Sequence, residues 1–206
     1  MNLNELSTKF NLQTKVVKGD SKIFGWQSES VVFDDVIQEI KPKTIIEIGS
    51  WVGASAIHMA KCLKANNIND FQILCVDTFL GSNASLWLEN YVNVDNVFNE
   101  QFNQFNINVT NCDLNENILA LPMTSSSAAE LCQILNVKVD LIYIDAGHQE
   151  KEVYDDLNDW WPISTKMVFG DDYSETWSGV KKAVNRFVAE KNINFQEKDS
   201  KFILRH

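Results

Sequence analysis

The 206-residue sequence lacks the features that mark membrane, secreted and nucleic-acid-binding proteins. No apolar run approaches the roughly 20 residues that a helix needs to cross a bilayer. The first residues show no basic flank followed by an apolar stretch, so no signal peptide is predicted. Basic residues are scarce, since 18 Lys and Arg face 28 Asp and Glu, and the net charge of −10 repels phosphate backbones. We therefore expect a cytoplasmic protein that binds neither membranes nor nucleic acid.

Cysteine and proline are also sparse, with four and three residues. The cysteines have no metal-type spacing and are predicted to be reduced, packed side chains. The chain has no repeat, low-complexity tract or proline-rich linker, and its length fits one domain. We predict a single domain over residues 1–206, in which residues 1–42 form an N-terminal helical lead that helps to cover the active site.

Short β-branched runs alternate with helical patterns along the rest of the chain. This alternation predicts an α/β fold in which helices cover both faces of a parallel sheet. The predicted buried strands are Lys43–Gly49, Gln72–Asp77, Asn117–Leu121, Asp140–Ala146 and Lys166–Gly170. A capping box at Ser127 and Glu130 predicts the start of one helix. Residues 194–198 and 201–205 resemble a terminal hairpin.

The segment Glu47-Ile48-Gly49-Ser50-Trp51-Val52-Gly53-Ala54-Ser55 runs from a predicted strand into a helix. Gly49 permits a sharp turn and Gly53 leaves room at the helix start, where exposed amides can receive a polar ligand. A dinucleotide site requires a second glycine where this chain has Trp51, whose bulk would block a pyrophosphate. An acid at Glu47 is typical of S-adenosylmethionine sites, although a turn without a ligand is the alternative.

The next strand ends in Val76-Asp77-Thr78. An acid at this point can accept both hydroxyls of a ribose, because it lies beside the glycine turn in the sheet. Alone, Asp77 could equally be a helix cap or a solvated strand end. Within one strand–helix–strand unit, the glycine turn and Asp77 together predict a nucleoside cofactor.

Three acids follow two neighbouring strands: Asp145 follows the fourth, and Asp171 and Asp172 follow the fifth. Like charges this close repel unless a cation neutralises them, and oxygen ligands suit Mg²⁺, Ca²⁺ or Mn²⁺. Helix capping or contacts with substrate are the alternatives. His148 lies three residues beyond Asp145 and could act as a general base, or could simply cap or pack.

Aromatic residues are concentrated in loops that we expect to overhang the carboxyl ends of the strands, including a stretch from Phe79 to Asn93 that fits no regular element. They could line a substrate pocket, pack as a lid or form a homodimer contact. These residues are Trp26, Phe79, Trp87, Tyr91, Tyr173 and Trp177.

With these residues in place, the chain resembles class I S-adenosylmethionine-dependent methyltransferases of the methyltransferase domain 24 family. The resemblance extends from about Gly25 to Phe187. It implies a Rossmann-like fold with a seven-stranded, mostly parallel sheet, an antiparallel C-terminal strand and helices on both faces. Its landmarks include Gly25-Trp26, Glu47 to Gly53, Asp77 to Ser82, Pro122 to Ser125, Tyr143 to His148, Gly170 to Tyr173 and Gly179 to Val184.

The resemblance also implies roles for individual residues. The methionine end of the cofactor would be held by Glu47, Gly49, Ser50 and Gly53, and the ribose by Asp77. Met123, Thr124 and Ser125 correspond to the stretch that lines the adenine. The predicted cofactor set is completed by Trp51, Ser55, Thr78 and Asp145. Relatives often carry Ser or Asp where this chain has Gly147, so a contact made by that side chain is missing here.

The sequence thus predicts a methyltransferase that uses S-adenosyl-L-methionine and acts on a small hydroxylated molecule of sugar or natural-product type. The predicted metal ligands are Asp145, Asp171 and Asp172, for Mg²⁺ or another divalent cation that assists O-methylation. His148 and Asp145 are the predicted catalytic residues. A metal-independent methyltransferase and a non-catalytic protein that kept the fold are the alternatives, and Trp51 disfavours a nucleotide-dependent oxidoreductase.

Overall fold

The structure, a computed structural model, describes residues 1–81 and 97–206. Within this part of the chain, seven strands form one sheet and seven helices surround it. The strands are β1 (Thr44–Ile48), β2 (Gln72–Asp77), β3 (Ile118–Pro122), β4 (Val139–Ile144), β5 (Ser164–Gly170), β6 (Asn194–Lys198) and β7 (Lys201–Arg205). The helices are α1 (Leu3–Phe10), α2 (Val31–Ile40), α3 (Ala54–Ala65), α4 (Val97–Asn111), α5 (Ser125–Ile134), α6 (Glu150–Trp160) and α7 (Ser178–Lys191).

The strand order in the sheet is β3-β2-β1-β4-β5-β7-β6. Strands β1 to β5 pair in parallel, whereas β7 pairs antiparallel with both β5 and β6. The predicted seven-stranded sheet with an antiparallel C-terminal strand is therefore confirmed. The chain order reverses between β1 and β4, which opens a crevice at the carboxyl ends of these strands.

Apolar side chains cover both faces of the sheet, as predicted. On one face the strands pack against α1, α5, α6 and α7. On the other face they pack against α2, α3 and α4. In β1, Ile46 and Ile48 point to the first layer while Ile45 points to the second, because successive side chains alternate along a strand. The central strands are thus buried on both sides, which explains their β-branched composition.

The N-terminal lead contains two of the helices. Asn2 caps α1 in a reciprocal arrangement with Glu5, and Leu3 and Leu6 are buried against the sheet layer. Between α1 and α2 the chain crosses α4, where the backbone amides of Lys15 and Lys22 donate to Asn106 and Asn108. No helix in the described ranges is long and apolar enough to span a membrane. The predicted irregular stretch from Phe79 to Asn93 lies mostly outside the described residues.

The start of α5 differs from the prediction. Thr124, not Ser127, is the N-cap, and its hydroxyl oxygen accepts the Ser127 amide at 3.3 Å. Thr124 has the extended backbone of an N-cap, with φ −67° and ψ 153°, whereas Ser127 lies inside the first turn of the helix. The predicted capping box at Ser127 and Glu130 is wrong.

A small polar cluster joins α5 to α6. The Ser125 hydroxyl donates to the Asp156 carboxylate and accepts the indole N–H of Trp160 at 2.8 Å. Asp156 is only 8% exposed, and burial raises the pKa of its carboxyl from 3.8 to about 6, with the Ser125 hydrogen bond opposing that rise. Between these two values the folded protein keeps a proton that the unfolded chain releases, so stability falls as pH rises through this window.

We predict that Asp156→Asn raises the free energy of unfolding by about 2 kcal/mol near pH 7.5 and by little near pH 4, because the amide needs no charged form. Urea denaturation at both pH values measures the difference. Asp155→Asn is the matched control, since Asp155 is exposed on the same helix and pairs with Lys151. An equal gain at both pH values would show that the buried carboxyl is not the cause.

Candidate active site

The turn after β1 lies in the crevice between β1, β2 and β4. Gly49 has φ +88°, and a Cβ atom there would lie 2.0 Å from the carbonyl oxygen of Asp145. Its amide donates to the Val76 carbonyl at 2.9 Å, and the Asp145 amide donates to Ile48 at 2.8 Å. Only glycine fits this conformation and this contact. The turn is therefore packed directly on the backbone that carries Asp145.

Buried polar groups lie beneath this turn. The carboxyl of Glu47 has no exposed surface, and it accepts the Ser55 hydroxyl at 2.5 Å and the Cys75 thiol at 3.4 Å. Burial is the main cause that raises the pKa of Glu47, and hydrogen bonds from Ser50, Ser55 and Cys75 oppose the rise. The Ser50 hydroxyl is itself buried, at 3% exposure. Three polar side chains therefore surround the Glu47 carboxyl beneath the turn.

Asp77 lies at the end of β2, across the crevice from the turn. One carboxylate oxygen accepts the Trp51 amide at 2.8 Å and the other accepts the Phe79 amide at 2.7 Å. These two bonds fix the orientation of the carboxylate, and each oxygen keeps a further lone pair that can accept a hydroxyl. The neighbouring Thr78 hydroxyl accepts the Leu80 amide at 3.3 Å.

The residues after β3 lie beside Asp77. The Met123 amide donates to the Asp77 carbonyl at 3.1 Å, which brings Met123 to the rim of the crevice. Thr124 caps α5, and the Ser125 hydroxyl is occupied by Asp156 and Trp160. Ser125, one of the three residues predicted to line the adenine, therefore uses its side chain to join α5 to α6.

The three predicted metal ligands have different surroundings. Asp171 is 6% exposed, and its carboxylate accepts a hydrogen bond from the ammonium group of Lys201 at 2.5 Å. The other oxygen of Asp171 accepts the Asp172 amide at 2.7 Å. Lys201, the first residue of β7, has no exposed surface at all. Asp171 is therefore neutralised from inside the protein, while Asp145 and Asp172 are only partly buried.

His148 completes a cluster with Asp145 and Asp172. One ligand atom from each residue lies within 4.8 Å of the other two. The Nε2 atom of His148 is 2.7 Å from the Asp172 carboxylate, and Trp177 stacks on the imidazole at 4.2 Å between ring centroids. As a donor set, two carboxylates and an imidazole at this spacing suit a divalent transition metal such as Mn²⁺.

Electrostatics couple this cluster to its neighbours. The pKa of Asp145 is raised from 3.8 to about 7, first by burial and then by the charges of Asp171 and Asp172, while Lys201 opposes the rise. The hydrogen bond to Asp172 raises the pKa of His148. The Tyr143 hydroxyl is 3.2 Å from Asp145 and 3.3 Å from Asp171, so it can donate to either. The arrangement can hold a proton or a cation.

Sequence patterns did not reveal Tyr143 and Lys201. Both lie on strands among apolar neighbours, and Tyr143 reads as a core residue. A lone lysine at the start of the apolar run Lys201-Phe202-Ile203-Leu204 is a weak signal, because strand ends are usually solvated. Only the register of β7 against β5, in which Gly170 pairs with Phe202, brings this lysine to Asp171.

The aromatic residues of the predicted overhang are divided between core and surface. Phe79 and Tyr173 are buried, whereas Trp26 and Trp177 are 56% and 39% exposed. Trp87 and Tyr91 lie outside the described residues. Trp26 stacks on Trp51 of the glycine turn at 5.4 Å. Beside this pair is a cavity of about 610 Å³, lined by Ile23, Phe24, Gly25, Gln27, Ser28, Glu29, Ser30, Ala54 and Asp199.

Comparison with known proteins shows the same fold. Residues 46–173 match the family described as methyltransferase domain. The O-methyltransferase of Bacillus cereus in complex with S-adenosylhomocysteine is 16% identical, with a TM-score of 0.59 over 98% of this chain and 87% of that chain. TomG, the Streptomyces achromogenes O-methyltransferase of tomaymycin synthesis solved with S-adenosylmethionine, is 11% identical, with a TM-score of 0.57 over 98% and 85%.

CalS11, a TDP-rhamnose 3′-O-methyltransferase of calicheamicin biosynthesis, is 14% identical, with a TM-score of 0.58 over 89% of this chain and 81% of that chain. At such identities these structures establish the likeness of fold alone. No curated protein matches the sequence significantly.

We predict that Lys201→Met lowers the free energy of unfolding by about 3–5 kcal/mol, because it leaves the Asp171 carboxylate buried without a counter-charge. Lys198→Met on the adjoining strand should cost under about 1 kcal/mol, since Lys198 forms an exposed pair with Asp35. Urea unfolding of both variants measures the contrast. Adding Asp171→Asn to Lys201→Met should recover most of the loss, and a double variant no more stable than Lys201→Met would contradict this explanation.

Proposed function

The chain belongs to the methyltransferase-domain family of class I S-adenosylmethionine-dependent methyltransferases, and we propose that it methylates a hydroxyl group of a small molecule with the help of a divalent cation. One observation carries this proposal. The glycine turn is packed against the backbone of Asp145, so a cofactor on the turn and a cation on Asp145 would share one crevice. Orientation of two reactants in such a crevice is the main task in methyl transfer.

The proposed cofactor site extends from Glu47 to Met123 across the crevice. The methionine end would lie on the turn at Gly49, which has no side chain and lies directly above the buried carboxyl of Glu47. The ammonium group of the methionine would offset the buried charge of Glu47. Asp77 would accept the ribose hydroxyls through the lone pairs that its two amide bonds leave free.

Further residues of the predicted cofactor set act at the edges of this site. Met123 and Thr124 would flank the adenine beside Asp77. Ser55 would act indirectly, because its hydroxyl already donates to Glu47. Gly53 is the N-cap of α3 and has φ +84°, and the free amides at the start of this helix would face the ligand.

In the proposed reaction, an acceptor oxygen attacks the methyl carbon while the carbon–sulfur bond breaks. The sulfur takes that electron pair, and the products are the methyl ether and S-adenosylhomocysteine, with the hydroxyl proton released to a base. Asp145 and Asp172 would hold the cation, which supplies positive charge that lowers the pKa of the bound hydroxyl. Both side chains lie at the carboxyl edge of the sheet, where the crevice opens.

The cavity beside Trp51 is the proposed acceptor site. Its volume of about 610 Å³ suits a small molecule, and its lining combines apolar side chains with polar groups such as Gln27 and Ser28. Proteins of the same fold act on a sugar nucleotide and in natural-product synthesis. We propose acceptors of the sugar or natural-product type for this chain as well.

A metal-independent mechanism is the second candidate, and the pair formed by His148 and Asp172 favours it. With Nε2 2.7 Å from the carboxylate, the imidazole is oriented as a base that could take the hydroxyl proton directly. Turnover that requires Mg²⁺ or Mn²⁺ and stops with a chelator supports the cation. Full turnover in the presence of chelator supports the base.

We predict that Asp77→Asn weakens S-adenosylhomocysteine binding by about 30-fold, because hydrogen bonds to a charged acceptor are worth about 2 kcal/mol. Isothermal titration calorimetry measures this affinity. Asp70→Asn is the matched control, because Asp70 precedes the same strand at its other end and is 91% exposed. Equal affinity in wild type and Asp77→Asn would place the ribose elsewhere.

A further inference from the structure

A lysine without exposed surface lies behind the acidic cluster. The ammonium group of Lys201 contacts Asp171 at 2.5 Å, and the rings of Phe33 and Tyr143 lie 5.2 and 6.0 Å from it. A buried ammonium needs a counter-charge, and Asp171 supplies it. The same Asp171 oxygen also faces the Tyr143 hydroxyl at 3.3 Å, and the other oxygen holds the Asp172 amide. Both oxygens are therefore occupied by donors.

We propose that Lys201 is a built-in counter-cation for Asp171, and that the divalent cation is held by Asp145, His148 and Asp172. This inference rests on the cation assistance proposed above, and it adds His148 to Asp145 and Asp172 as a ligand. A second cation on the Asp171 carboxylate would lie close to the ammonium group in a low-dielectric interior, where like charges repel strongly. Asp171 is thereby removed from the set of three carboxylates that strand position alone suggests.

His148 is in position to take the place of Asp171 as the third ligand. Ligand atoms bound to one cation at about 2.1–2.3 Å are at most about 4.6 Å apart. The three atoms here lie within 4.8 Å of one another, so a shift of a few tenths of an ångström in one side chain is enough for all three to reach one cation. The ring is held by the stack on Trp177. The backbone is held as well, because α7 approaches so closely that a Cβ on Gly179 would lie 2.3 Å from the His148 carbonyl oxygen.

Asp171 then acts as a positioning residue. Its bond to the Asp172 amide stabilises a backbone conformation with φ +63° at Asp172, which is unusual for a residue other than glycine. Tyr143 connects Asp171 to Asp145. Asn at position 171 can still accept the Asp172 amide through its Oδ1 atom. Replacing Lys201 by Met and Asp171 by Asn together should therefore leave the cation site intact, because the net charge around it is unchanged.

The mixed set of one imidazole and two carboxylates has a consequence for the choice of metal. Imidazole nitrogen suits transition metals better than it suits Mg²⁺, which prefers oxygen. We expect Mn²⁺ to bind at least about tenfold more tightly than Mg²⁺. A site of three carboxylates would discriminate less between Mn²⁺ and Mg²⁺.

The test measures Mn²⁺ affinity by the electron paramagnetic resonance signal of free Mn²⁺, in the presence of S-adenosylhomocysteine. We expect the double variant Lys201→Met/Asp171→Asn to bind Mn²⁺ within about threefold of wild type, and Asp172→Asn to bind about 30-fold more weakly, as loss of a charged ligand requires. Affinity for S-adenosylhomocysteine in each variant is the control for an intact fold. Electron spin echo envelope modulation of bound Mn²⁺ in the wild type should show a coordinated ¹⁴N that His148→Phe removes.

Two results would overturn the inference alone: an approximately 30-fold loss of Mn²⁺ affinity in the double variant with normal S-adenosylhomocysteine binding, or no ¹⁴N coupling in the wild type. The first would identify Asp171 as a ligand. A wild-type protein that binds S-adenosylhomocysteine but no Mn²⁺ would refute the proposed cation, and this inference with it. The spin-echo measurement uses the wild-type protein, so it still tests the inference if the double variant fails to fold.

Discussion

The pairing of Lys201 with Asp171 is the interaction on which the carboxyl edge of the sheet depends. Among the described residues, five carboxyl groups converge there, from Glu47, Asp77 and the three acids after β4 and β5. Carboxylates brought together in a partly buried crevice repel, and each raises the pKa of its neighbours. Lys201 offsets part of this repulsion, as its opposing effect on the pKa of Asp145 illustrates. Without an internal cation the cluster would be held only by protons or by metal.

The second constraint is steric. Because Gly49 touches the carbonyl of Asp145, the cofactor turn and the acidic cluster cannot move independently. Glu47 lies two residues earlier on β1 and is buried beneath the same loop. The proposed cofactor and cation sites thus lie at neighbouring strand ends, where open α/β sheets bind their ligands. This linkage gives the fold its suitability for aligning an acceptor oxygen with a sulfonium methyl group.

The architecture was largely predictable from the sequence, because buried parallel strands have a continuous apolar pattern. The pairing of β6 with β7 was predicted from two short segments and a turn, and it is present. Element ends were less predictable. Thr124 rather than Ser127 caps α5, because several hydroxyl residues stand in a row and the sequence pattern does not distinguish among them.

The site was predictable in its residue types but not in its pairings. The positions of Asp145, Asp171 and Asp172 after two strands gave no means to distinguish them, since the distinction comes from a lysine thirty residues later on an antiparallel strand. For the same reason His148 was predicted as a base, although its distance to Asp172 also suits a shared cation. Long-range register decides such roles, and it is not a local property of the sequence.

The central claim is that the turn at Gly49 and the cluster at Asp145 form one crevice for cofactor and cation. A crystal structure of the protein with S-adenosylhomocysteine and Mn²⁺ tests it most directly. The account predicts ribose hydroxyls within hydrogen-bond distance of Asp77, and an anomalous peak about 2.2 Å from ligand atoms of Asp145 and Asp172. A nucleoside bound elsewhere, or a crevice filled by the protein's own side chains, would contradict it.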